Sequence, residues 1–98
     1  MVTLGSGDFS YNVEVNWETV PDGYGWREVP AVFADEDDNI YMFTRGDHPL
    51  MVFDSSGNFV KSWGEGLFVR GHGISKGPNN TLYLTDDGDH TVRQCTLD

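Results

Sequence analysis

The feature that most restricts what this chain can become is a repeat. Shifting the sequence by 42 residues brings Ile40-Tyr41-Met42 onto Leu82-Tyr83-Leu84, Gly46-Asp47-His48 onto Gly88-Asp89-His90, and Leu50 onto Val92. Periods of about 40–45 residues are those of four-stranded propeller blades, each a sheet that cannot bury both faces without a neighbour. The 98 residues hold two such periods. That is chain enough for one small domain, so any further core has to come from self-association.

Apolar runs and turn residues place strands inside each unit. The first reads as a strand at Ala31–Ala34, an acidic turn Asp35-Glu36-Asp37-Asp38, and a strand at Asn39–Thr44. The loop Arg45-Gly46-Asp47-His48-Pro49, a strand at Leu50–Phe53, the hairpin signal Asp54-Ser55-Ser56-Gly57 and a strand at Phe59–Trp63 complete it. The second unit repeats this at Gly73–Lys76, Leu82–Thr85 and Val92–Thr96, then stops at Asp98, where the hairpin before a fourth strand would begin.

Val13-Glu14-Val15-Asn16-Trp17 resembles Phe59-Val60-Lys61-Ser62-Trp63 and reads as that fourth strand, placed at the other end of the chain. The loop behind it, containing Pro21-Asp22-Gly23, is four residues longer than its counterpart, ordinary tolerance for a surface connection. The organisation expected is an N-terminal lead at 1–10, an outer strand for a neighbouring blade at 11–17, a complete blade at 30–63 and three strands of an open blade at 72–96. A neighbour's N-terminal strand would complete the open blade and cover its edge. The fold class expected is all-β, with two propeller blades per chain and closure through copies of itself.

The segments Asn39-Ile40-Tyr41 and Leu50-Met51-Val52-Phe53-Asp54-Ser55-Ser56-Gly57 resemble NHL repeats. Arg45-Gly46-Asp47-His48, His72-Gly73-Ile74 and Leu82-Tyr83-Leu84-Thr85-Asp86 look most like peptidyl-α-hydroxyglycine α-amidating lyases and their relatives. The resemblance covers about residues 11–98. It implies a six-bladed ring, hence a homotrimer of two-bladed chains. It further implies a zinc ion on the ring axis held by His72, a calcium ion bound partly through the carbonyl of Ile74, and an arginine, Arg45, handling a small carboxylate or the catalysis. The first repeat has Pro30 where the second has His72.

Sixteen Asp and Glu against six Lys and Arg give a formal charge of −10. Such a chain repels phosphate backbones and anionic lipid, so neither nucleic acid nor a membrane surface is an expected partner. The apolar stretches are too short for a membrane-spanning helix, and no basic-then-apolar signal pattern opens the sequence. A single cysteine, Cys95, in an alternating stretch reads as a small buried hydrophobe.

The acidic groups at 35–38 and 86–89 offer oxygen ligands of the kind calcium takes, but they lack the alternate spacing of a dedicated loop and read as turns. His48 and His90 share a repeat position and read as sharing a structural task. Trp17 and Trp63 read as packing between blades, and the unmatched Trp26 as a surface or subunit contact. The expected function is that of a self-assembling scaffold or binding module. A zinc-dependent lyase-like enzyme and a structural fragment of a longer propeller remain as alternatives.

Overall fold

The computed structural model describes residues 2–97; the turn expected at Asp98, and Met1 of the N-terminal lead, lie outside them. The chain is all-β. Strands β1 (Val2–Ser6) and β2 (Phe9–Val13) form a hairpin. A four-stranded meander follows: β3 (Ala31–Ala34), β4 (Ile40–Phe43), β5 (Leu50–Phe53) and β6 (Phe59–Trp63). A three-stranded meander ends the order: β7 (Gly71–Gly77), β8 (Thr81–Asp86) and β9 (Thr91–Thr96). All pairings are antiparallel.

The hairpins follow from local chemistry. Asp35 Oδ1 accepts the amides of Asp37 and Asn39 at 2.9 Å each, and Oδ2 accepts Asn39 Nδ2 at 3.2 Å. Asp54 repeats that pattern on Ser56 and Asn58. The left-handed position is filled by Asp38 (φ 61°) in one turn and Gly57 (φ 86°) in the other. In both turns an aspartate side chain caps the backbone amides, the local hydrogen bonding that favours Asp in turns.

The two larger sheets stack face to face. Tyr41, Phe43, Leu50 and Val52 project from one face of the first sheet onto Leu82 and Leu84 of the second, with Phe33, Trp63, Phe68, Ile74 and Cys95 around them. The six central side chains are at most 4% exposed. Cys95 is a partly buried apolar neighbour of this core. Burial follows the pleat: along β8, Leu82, Leu84 and Asp86 are buried while Thr81, Tyr83 and Thr85 are half-buried.

The segment expected as an outer strand, residues 11–17, behaves differently. Pairing stops at Val13, and Asn16 turns the chain with φ 57°. Val2–Ser6 folds back on Phe9–Val13 through Gly7-Asp8, where Gly7 (φ 60°) supplies the left-handed first residue of a two-residue turn. The hairpin is amphipathic: the register puts Val2, Leu4, Phe9, Tyr11 and Val13 on one face. All but Val13 are exposed. Beyond it, Trp17 lies 6.1 Å from the Phe53 ring and Thr19 donates to the Gly57 carbonyl at 2.8 Å, on the face of the first sheet turned away from the second.

Candidate functional site

Arg45 and His72, 27 residues apart, meet where the two sheets join at one end. Arg45 follows β4, and its amide donates to the carbonyls of Trp26 (3.2 Å) and Glu28 (2.9 Å), which pins the long loop to the sheet. Its guanidinium crosses to the second sheet. Nε donates to the Gly71 carbonyl at 3.0 Å, Nη2 donates to His72 Nδ1 at 3.1 Å, and Nη1 pairs with Glu28 at 3.3 Å.

His72 is the extra residue of a β-bulge, since Gly71 pairs with Asp86 and Gly73 with Thr85. Bulges re-aim a side chain that a regular pleat would send elsewhere. The backbone can come this close only because position 71 is glycine: a Cβ there would lie 2.5 Å from Phe43 Cζ. The imidazole is 61% exposed, and its Nδ1 also lies 3.5 Å from Asp87, which binds Arg70 at 2.9 Å.

The two neighbours of Nδ1 ask for opposite tautomers. Accepting from Arg45 leaves the proton on Nε2, whereas donating to Asp87 frees Nε2 as a lone-pair ligand backed by a carboxylate, the usual support of a metal-binding histidine. Among the described residues no group of three His, Cys, Asp or Glu in one chain is placed to hold a metal ion. A single chain thus brings one imidazole. Ile74, two residues on, packs its side chain against the core, so its carbonyl is the only ligand it could lend.

Asp86, which sits in a run of acids expected as a turn, organises this end of the molecule. It is 2% exposed. Its Oδ2 accepts the Val69 amide at 2.7 Å, and Oδ1 accepts the amides of Arg70 (3.0 Å), Gly88 (2.8 Å) and Asp89 (3.2 Å). Burial pushes its carboxyl up, but these four amides outweigh burial and hold it below its ordinary value of 3.8. Through them the chain entering β7 is fixed, and with it His72. The cue in the sequence was positional: Asp86 takes the place of Thr44, whose Oγ1 accepts the Gly46 amide as Asp86 accepts that of Gly88.

The other candidates separate. His48 stacks on Tyr24 at 3.6 Å and donates to Glu65 at 3.2 Å, while His90 is an exposed turn residue with φ 59°, so the repeat does not give them one task. At the opposite end of the sheets a cleft of about 600 Å³ opens among Phe33, Asp35, Lys61, Lys76 and Leu97. Its lysines are engaged, Lys61 with the Leu97 carbonyl (3.1 Å) and Lys76 with Glu36 (3.0 Å). No family model, curated protein or solved structure matches this chain.

Proposed function

We propose that this protein is a self-assembling propeller module of NHL type, whose two sheets per chain are consecutive blades and whose copies join head to tail into a closed ring, with three copies giving six blades. The observation that carries the reading is a complementary mismatch of strands. The first sheet has four strands, the repeat-matched second has three with β9 as its edge, and an amphipathic hairpin stands with its apolar face exposed. Trp17, repeat partner of Trp63, already lies on the outward face of the first sheet, where the last strand of a preceding blade would deliver it. A neighbour's 11–17 segment pairing with β9 would complete the open blade, cover an edge and bury the hairpin's apolar side. Heterologous contacts of this kind close into rings when the rotation per copy divides a full turn.

In such a ring His72 of each copy would approach the axis, and three neutral imidazoles with one open position suit zinc. A calcium ion on Ile74 carbonyls would be the companion site. Small-carboxylate binding by Arg45 belongs to the same reading. Deleting residues 1–17 tests the assembly: sedimentation should show the ring lost altogether, and an unchanged oligomer would end strand exchange as its basis.

A further inference from the structure

The 42-residue repeat relates the residues of the sheet-to-sheet junction inside the chain to residues on its two outward faces. Adding 42 to the residues that the first sheet presents to the second, Tyr41, Phe43, Leu50 and Val52, gives Tyr83, Thr85, Val92 and Gln94. These occupy one face of the second sheet, the face turned away from the first. Leu50 is fully buried, whereas Val92 is 66% exposed. Subtracting 42 from the residues of the second sheet that receive this contact, Ile74, Leu82 and Leu84, gives Val32, Ile40 and Met42 on the outward face of the first sheet. Leu82 and Leu84 are fully buried and their counterparts Ile40 and Met42 half-buried, while Val32, the counterpart of the half-buried Ile74, is 61% exposed. The chain therefore holds one filled junction and two faces of a second, of which the outward face of the first sheet is open at Val32 and closed over Met51 and Phe53, which are fully buried.

The rim supports the same correspondence with charges. Arg45 pairs with Glu28 (3.3 Å), and 42 residues on Asp87 pairs with Arg70 (2.9 Å) with the signs exchanged. The backbones correspond too, since the Arg45 amide donates to Glu28 and the Asp87 amide to Arg70. Inside the chain, Arg45 on the first sheet and Asp87 on the second stand on either side of His72. In a repeated junction Asp87 of one copy and Arg45 of the next would stand on either side of Pro30, again opposite in sign. Arginine and aspartate would then alternate around the whole rim, so every junction is attractive.

We infer that the face bearing Tyr83, Val92 and Gln94 docks a second copy of this chain on the face bearing Val32, Ile40 and Met42, with Asp87 directed at that copy's Arg45. This rests on the self-assembly proposed above and specifies its interface. It excludes a two-fold contact, in which one face would meet itself.

The test uses the two exposed valines. Val92→Arg and Val32→Arg each place a charge that a single chain can solvate but a packed junction cannot. Each variant alone should run as a single chain of 11.0 kDa by light scattering. Mixed in equal amounts they retain one intact pair of faces and should form a dimer of about 22 kDa, twice the chain mass, which also shows that both are folded. If the wild-type chain is oligomeric and Val92→Arg keeps its mass, the interface is wrong while self-assembly stands. A mixture that stays at the mass of one chain overturns the head-to-tail pairing. A monomeric wild type overturns both.

Discussion

Replacing Asp86 by asparagine keeps the shape of the side chain and removes its charge. Three amides, those of Arg70, Gly88 and Asp89, would still find an oxygen at Oδ1, while the Val69 amide would face an NH2 group. Ionisation roughly doubles a hydrogen bond, so each of the three loses about 1 kcal/mol and the fourth is replaced by a donor–donor contact. Water reaching amides at the sheet rim recovers about half, leaving a cost of roughly 2–3 kcal/mol. At ~4–8 °C per kcal/mol for a chain of this size, Tm should fall by about 10–20 °C. The pH dependence supplies the internal control. The Asp86 carboxyl titrates below 3.8 in the folded chain, so its contribution is complete above that value and is lost as pH falls through the lower, folded one. Urea denaturation of both proteins should give a stability gap that is widest near neutral pH and closes below pH 3.8. A gap under about 0.5 kcal/mol at pH 7, or one that does not narrow in acid, would refute the role assigned to this carboxylate.

Further outcomes follow from the same geometry. Gly71→Ala sets a methyl group against the Phe43 ring and should cost ~1–3 kcal/mol in urea denaturation, because the ring sits in the packed junction with no room to retreat. Asp35 and Asp54 are also held below their ordinary value. For Asp35 burial pushes upward but is outweighed by bonds from Asn39 and Asp37; for Asp54 the Asn58 amide leads. Wild-type stability should therefore decline as pH falls below 3.8, monitored by circular dichroism. If three copies close a ring as proposed, metal exposure followed by elemental analysis should give about one zinc per three chains, lost in His72→Ala with the oligomer intact. Equal metal content in the two proteins would remove the axial site.

Much of the fold from Ala31 onward was legible because period, turn residues and pleat agree there. Ala31–Ala34, Leu50–Phe53 and Phe59–Trp63 form as strands with the expected bounds, and the Asp54-to-Gly57 turn fixes its own geometry through local hydrogen bonds. The strand expected at Val13–Trp17 was read by likeness to Phe59–Trp63, yet a strand needs a partner as well as a pattern. Val2–Ser6 partners Phe9–Val13 across the Gly7-Asp8 turn, and residues 14–17 leave the hairpin without joining a sheet of the same chain. The meeting of Arg45 with His72 was not legible from spacing. It depends on a one-residue bulge and on a glycine against an aromatic ring, neither of which leaves a periodic trace. Asp86 was hidden for a related reason: in a run of acids, composition does not tell which carboxylate is buried.

Whether copies of the chain complete one another is read most directly from the mass of the unmodified protein in solution. Light scattering over a concentration series should give a single species of about 33 kDa, three times the chain mass of 11.0 kDa, persisting at micromolar concentration. A species of 11.0 kDa at every concentration would contradict it.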